Sequence, residues 1–311
     1  MSDEMKKQMN EKESIEGLIS NAKKTTTYGK LIGIAGVILA LLLVWIGQFK
    51  IYSPTVIFLG KALLIVAIVA GVLISAKGKK LLKSELSEGI IPEALGEVFQ
   101  NVQYFPKKYI DIETVKKTDM GFPISSFDYV EGSDLIQGTY KDVPFTASDL
   151  QLRVDSIDSQ ENPQAYTVFR GTWLTCDFKK RLSADVIISE NKKQKKPSKH
   201  TILTDNDAFN VKYTIKSDNP EEVFYILTPH MMEFILAMDE KADGMTYFHF
   251  ERNGKVHIAI DSGRDLFEIG KASAQSYEGL KQQIKDEVQY IVSLIDELKL
   301  SDSLFEENIT K

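Results

Sequence analysis

The strongest pattern along the chain is a pair of apolar runs near the N-terminus. From Leu31 to Gly47 every residue is apolar or glycine, and Gln48 ends the run. At 1.5 Å rise per residue such a helix spans roughly 25 Å, near the lower limit for the hydrocarbon core of a bilayer. The second run extends from Thr55 to Ala76 and is interrupted only by Lys61. The link Lys50-Ile51-Tyr52-Ser53-Pro54 has room for a tight turn alone, so the pattern predicts an antiparallel transmembrane hairpin with spans at 31–48 and 55–76. Tyr28 flanks one end of the first span and Trp45 and Phe49 the other, where aromatic rings favour the membrane interface. A signal peptide would be shorter and followed by a cleavage site, not by a second span.

Lysines orient the hairpin. Lys23, Lys24 and Lys30 precede it and Lys77, Lys79, Lys80 and Lys83 follow it, whereas the turn offers Lys50. The positive-inside rule then predicts a multi-pass protein of the cell membrane with both termini cytoplasmic. It also makes Lys77, Lys79, Lys80 and Lys83 a membrane-surface set facing the lipid bilayer. Lys61 lies about 9 Å from the outer boundary, within reach of a snorkelling stem, with an ion or substrate role as the sharper alternative. Small residues at Gly29 and Gly33, and at Ala67, Gly71 and Ser75, predict close packing of the two spans, or oligomerisation through the same stripe. The polar N-terminal cytoplasmic segment, residues 1–30, begins with a weak helical pattern at Met5, Met9, Ile15 and Ile19. A marginal helix is expected there, with a partner-binding or a disordered segment as alternatives.

Residues 77–311 read as one cytoplasmic soluble domain of the α+β class. Pro92 suits the first turn of a helix running to about Gln103, and a short helix is expected over Lys107 to Thr118. Runs rich in β-formers follow at Phe127 to Val130, Asp134 to Tyr140, Pro144 to Val154, Tyr166 to Phe178 and Ala184 to Ile188. No helices alternate with them, which predicts a mostly antiparallel sheet. Phe209 to Lys216 reads as another strand. Helices are then expected over Glu221 to Leu227 and from Pro229 to about Asp239, the second with a core face of Met231, Met232, Ile235, Leu236 and Met238.

Met245 to Asp261 is the clearest hairpin, turning at Asn253-Gly254. A two-residue turn would split Phe248 and Phe250 from Val256, Ile258 and Ile260 onto opposite faces. A three-residue loop puts all five on one buried face, and burial specifies register. That register sets His249 opposite His257 on the other, polar face, with side-chain roots about 5 Å apart. Two such imidazoles are weak metal candidates, because zinc needs at least a third ligand and only Glu251 and Tyr247 share the face. Two exposed strand histidines are the simpler expectation. A long C-terminal helix from Ser276 to Lys299 carries one apolar stripe: Tyr277, Leu280, Ile284, Val288, Ile291, Ile295 and Leu298.

Charge separates the two parts of the chain. The net charge is −6, yet residues 1–84 hold twelve lysines against five acidic residues, leaving the remainder strongly acidic. An acidic domain argues against nucleic-acid binding, which needs a positive surface to release phosphate counterions. The basic loop Asn191 to His200 would touch anionic lipid heads or remain a solvated loop, the second being simpler. The single cysteine, Cys176, excludes an intrachain disulfide and reads as a small core residue. No P-loop, dinucleotide fingerprint, HExxH, CxxC or GxSxG is present, and no cofactor is expected. Ser133, Asp134 and Asp177 are available to catalysis, but spacing names no partner for them.

The phrase Glu131-Gly-Ser-Asp-Leu-Ile-Gln-Gly-Thr-Tyr-Lys-Asp-Val-Pro-Phe-Thr-Ala-Ser-Asp-Leu150, followed by Phe169-Arg-Gly-Thr-Trp173 and Cys176-Asp-Phe-Lys-Lys180, resembles a bacterial membrane-protein family. So do Tyr225-Ile-Leu-Thr-Pro-His-Met-Met-Glu233, Asp265-Leu-Phe-Glu268 and Ile291-Val292 in the closing helix. The family is domain of unknown function 3137. The resemblance covers roughly Leu86 to Phe305 and the preceding hairpin. It departs at Phe145-Thr-Ala-Ser-Asp149, where the family phrase usually reads FSE. It implies a two-span protein with a shared domain, genes often beside those of LemA-type membrane proteins, and no established catalytic residues. Three functions follow as expectations. The first is a membrane-anchored interaction or scaffold module at the cytoplasmic face, binding another membrane protein, LemA-type by family association. The second is a membrane-tethered hydrolase-like enzyme using polar residues between Asp134 and Asp149. Transport through the hairpin, with a working Lys61, is the third.

Overall fold

The computed structural model describes residues 86–124, 126–157, 163–177, 181–191, 201–267 and 277–306, and before them 24–39, 64–74 and scattered positions between 17 and 76. Lys77, Lys79, Lys80 and Lys83, the expected basic loop at 192–200, the turn expected at 50–54 and most of the N-terminal segment lie outside the described residues. The chain divides into two compact units, residues 1–93 with 269–282, and residues 94–268 with 283–311.

In the first unit, helix α1 (24–39) packs against helix α2 (64–74) through small residues. The backbones meet where Gly33 faces Gly71, so closely that a Cβ on Gly71 would stand 2.9 Å from the Gly33 Cα and 3.1 Å from the Gly29 carbonyl oxygen. Ala67 and Gly71 are buried there, as the small-residue spacing predicts. Large apolar side chains point outward along both helices. Among the described residues, no helix is long and apolar enough to cross a membrane. The described part of α1 is continuous only over 24–39, about 24 Å at 1.5 Å per residue. A short helix α3 (Ile91–Gly96) follows a π-helical turn at Leu86–Ile90. Glu93, in the first turn of α3, accepts a hydrogen bond from the Tyr277 hydroxyl and pairs with Lys281 at 2.7 Å.

The second unit is an eight-stranded sheet, antiparallel at every pairing, in the order β1-β2-β3-β4-β8-β7-β5-β6. The strands are β1 (Gln100–Phe105), β2 (Tyr129–Tyr140), β3 (Val143–Ile157), β4 (Pro163–Asp177), β5 (Val186–Glu190), β6 (Tyr213–Lys216), β7 (Met245–Phe250) and β8 (Lys255–Asp261). Helices α4 (Ile112–Lys117), α5 (Asp207–Lys212), α6 (Pro220–Ile226), α7 (Pro229–Lys241) and α8 (Tyr277–Glu306) complete it. Side-chain caps set the helix starts: Asp111, Asn206, Asn219 and Thr228 each accept amides of the first turn. Pro220 and Pro229 occupy the first turn, where a missing N–H costs nothing.

Three elements differ from the sequence expectation. The helix opened by Pro92 ends at Gly96, because the Leu95 carbonyl accepts both Val98 and Phe99 amides and Asn101 adopts φ 51°. Residues 100–105 then pair with β2 as a strand. Phe209–Lys212 is helical instead of extended: Asn206 caps it, and Phe209 and Tyr213, four apart, stack at 4.7 Å. The two expected strands 127–130 and 134–140 are one strand, β2, bent by a bulge between Ser133 and Ile136.

Both faces of the sheet are covered. On one, Trp173, Phe169, Leu150, Leu152, Tyr247 and Ala259 form a core with Ile110, Val115 and Met120, contributed by α4 and its flanks. The ring of Phe122 packs 4.7 Å from Tyr247 and 5.2 Å from Phe169. On the other face Phe145, Leu174, Cys176, Ile188, Phe248, Phe250, Val256 and Ile258 are buried, with Ile284, Val288, Ile291 and Ile295 on the inner stripe of α8. The Tyr140 and Lys141 side chains reach Asp296 of α8, the lysine at 2.7 Å.

The glycine contact predicts the effect of a bulky side chain. Gly71→Leu should drive α1 and α2 apart and lower the thermal midpoint of the detergent-solubilised protein, at a cost of about 1–3 kcal/mol. Val72→Leu, at an outward position, should leave it unchanged. Equal midpoints for the two variants would show that the helices do not meet at Gly71.

Candidate functional site

Two buried polar clusters stand out, one on each face of the sheet. The first is built by the phrase Glu131-Gly-Ser-Asp134. Gly132 is needed because a Cβ there would lie 2.6 Å from the Tyr109 Cβ. The bulge then gives Asp134 a left-handed backbone, φ 58°, and turns its side chain inward, 3% exposed. One Asp134 oxygen accepts the Tyr104 hydroxyl and the other the Ser133 hydroxyl at 2.7 Å. Ser133 pairs across the strands with Asp149, which is 2% exposed. Asp149 accepts the Leu266 amide through one oxygen and the Thr172 hydroxyl, at 3.3 Å, through the other. The next amide along, Phe267 N–H, donates to Glu287 of α8 at 2.7 Å.

Burial raises the Asp149 carboxyl to about 8, and the nearby Asp134 charge adds to it, against the lowering effect of the Leu266 amide. Burial likewise raises Glu287 and the hydroxyls of Tyr104 and Tyr290. The region Asp134 to Asp149, read from sequence as an enzymatic alternative, is therefore brought together. All four oxygens of the two aspartates are engaged by protein donors, and the pair ties β2, β3 and the 262–267 loop to one another. Asp177 is exposed at the far end of β4 and takes no part. Cys176 is buried, with its thiol pushed up to about 12 by desolvation first and by Asp177 second, as befits a core residue.

The second cluster is the histidine pair. The three-residue loop holds as expected: Glu251 N–H donates to the Lys255 carbonyl at 2.8 Å, and His249 pairs with His257. Exposure does not. His249 is 4% and His257 1% exposed, because residues 118–122 close over this face. The Ser189 hydroxyl donates to the Met120 carbonyl, and Phe122 lies against Trp173 and Tyr247. The imidazole rings are 6.2 Å apart. Around them stand Trp173, Thr175, Glu251 and Asp185. Among the described residues no three histidine, cysteine or acidic side chains are arranged to hold a metal ion. Lys61, in helical backbone just before α2, is exposed.

Sequence reasoning set His249 opposite His257 and singled out Ser133 and Asp134, but it named no partner for them and missed the burial of the histidines. The missed signal is Met120-Gly-Phe122: Gly121 has φ 67°, which turns the segment down between α4 and β2, and a Cβ there would stand 3.0 Å from Ile187.

Residues 167–300, from β4 into α8, match the family described as "Protein of unknown function (DUF3137)". No curated protein matches the chain. Among solved structures it is similar to the mycobacterial trehalose monomycolate transport factor A, TtfA, at 10% identity and a TM-score of 0.33. That match covers 66% of this chain and 95% of the other, and at that score it carries no argument about fold or function.

The raised Asp149 carboxyl gives a signed expectation. Its folded value, about 8, exceeds the ordinary carboxylate value near 4, so the folded state holds the extra proton between them. Stability from this group is complete at low pH and falls as pH rises toward 8. Asp149→Asn, which still accepts the Leu266 amide, should therefore gain on the native chain by roughly 1 kcal/mol per pH unit through the neutral range. Urea denaturation at pH 5, 6.5 and 8 measures this, and a gap that does not widen with pH means Asp149 is ionised in the fold.

Proposed function

We propose that α1 and α2 belong to two spans that insert into a lipid bilayer, and that the α+β domain acts at the membrane as an interaction or scaffold module. The observation that carries this reading is where apolar surface is left bare. Among the described residues, sixteen of twenty-three exposed large hydrophobic side chains fall between Tyr28 and Leu73. Water-soluble proteins do not leave contiguous apolar surface of that extent uncovered. The two helices bury glycine and alanine against each other and turn leucine, isoleucine and valine outward, the arrangement expected where hydrocarbon is the solvent. The flanking lysines favour cytoplasmic termini, which puts the acidic domain at the inner face. A second membrane protein, LemA-type by the family association, is the partner this reading favours. The bonded state of Asp134 and Asp149 supports structural duty for the one polar constellation that an enzymatic reading would use.

Alkaline carbonate washing of membranes should leave the full-length protein in the pellet and release a chain lacking residues 1–84. Protease applied outside sealed cells should leave the domain whole. Extraction of the full-length chain by carbonate would remove the anchoring, and digestion from outside would reverse the orientation.

A further inference from the structure

We propose that His257, seated between Trp173 and Glu251 and paired across the strands with His249, is a proton-operated latch on the tip of the β7–β8 hairpin. The tautomer follows from the partners. An indole N–H only donates, and Trp173 Nε1 lies 3.3 Å from His257 Nδ1. Nδ1 is therefore the bare nitrogen, the Thr175 hydroxyl also reaches it at 3.0 Å, and the ring proton sits on Nε2. Nε2 lies 3.3 Å from a Glu251 oxygen but without the alignment of a hydrogen bond. A second proton has one place to go, Nδ1, where it would meet the indole N–H head on.

Trp173 has no room to retreat. It is fully buried, edge-on to Phe169 and Phe122. The imidazolium must instead turn outward, and the groups that face it define the route. Glu251 leads the loop, Asp185 before β5 lies 3.8 Å from His249 Nε2, and Asp119 after α4 adds negative charge on the His249 side. Lys255 of β8 and His249 of β7 oppose a second positive charge. Both nitrogens of His249 are buried without a hydrogen bond, an arrangement that needs a neutral ring. The hairpin tip is held by Glu251 to Lys255 and by Arg252, whose amide and Nε both donate to Asp185 Oδ1. Charging His257 draws the Glu251 carboxylate away from the Asn253 side-chain amide that donates to it, and Asp185 away from Arg252, and so loosens the tip.

The direction with pH is determinate. Burial pulls both imidazoles down, His257 to about 4, against an ordinary value of 6.5. The unfolded or opened state therefore binds the extra proton first, so the closed tip is complete above about pH 6.5 and is lost as pH falls toward 4.

The chain has two tryptophans, so Trp45→Phe leaves Trp173 as the sole indole beside the switch. In that full-length protein, held in detergent, the indole emission should change between pH 7 and 4 while the far-ultraviolet circular dichroism stays constant. Glu251→Gln should move the midpoint downward by roughly half a pH unit or more, since the carboxylate that favours the charged ring is gone. His257→Gln should abolish the transition. Should that variant not fold, the Glu251→Gln shift alone decides. An unshifted midpoint, a transition surviving in His257→Gln, or loss of secondary structure in the same step would each overturn the latch.

Discussion

A sheet covered on both faces leaves its polar side chains no water to fall back on, and the rest of this domain is arranged around that constraint. Asp134, Asp149, Thr172, Ser189, Thr246, His249 and His257 are all buried. Each buried polar group without a partner costs on the order of 1–3 kcal/mol. The fold answers by spending backbone amides and hydroxyls on them. Asp149 takes a loop amide, Thr246 bonds both Tyr213 and Asp239, and Trp173 gives its indole proton to His257. His249, at both nitrogens, and His257, at Nε2, are exceptions, and the bare nitrogens are tolerable only because the rings are uncharged.

The same constraint explains how the segments that cover the sheet are fastened. The 262–267 loop is gripped on adjacent amides, by Asp149 from the sheet and by Glu287 from α8. Arg170 adds a third hold, accepting the Gly263 amide at its carbonyl and reaching Asp265 with its guanidinium. Burial makes Asp149 and Glu287 resist ionisation more than a surface acid does. A loop secured by buried acids is sensitive to their protonation, whereas one secured by apolar packing is not. Both polar clusters are thus structural ties whose strength depends on pH, in opposite senses: the aspartate favours acid and the histidine favours base.

The α1–α2 pair obeys the reverse rule. Its large side chains face outward and its smallest residues face each other, so backbone approach at Gly33 and Gly71 does the packing that side chains do in the sheet. In water this would leave a broad apolar surface unsatisfied. In hydrocarbon it leaves none, and close van der Waals contact becomes the available source of helix association.

Periodicity along the chain was enough to determine the α+β class, the antiparallel sheet, the β7–β8 register, the small residues through which α1 and α2 meet and the buried stripe of α8, because each depends on spacing within one segment. The opposition of His249 to His257 followed from register, whereas the meeting of Asp134 with Ser133 and Asp149 needed the bulge in β2. What the sequence could not determine was which surfaces are dry. Residues 118–122 carry no regular period, yet they close the histidine face. The bulge at Asp134 and the helical start at Phe209 arise from a glycine contact and an asparagine cap whose partners are remote or local in ways that hydropathy does not register. Burial is a property of what lies across a gap, so the protonation behaviour of the two clusters was decided only when the tertiary structure placed a second layer over each face.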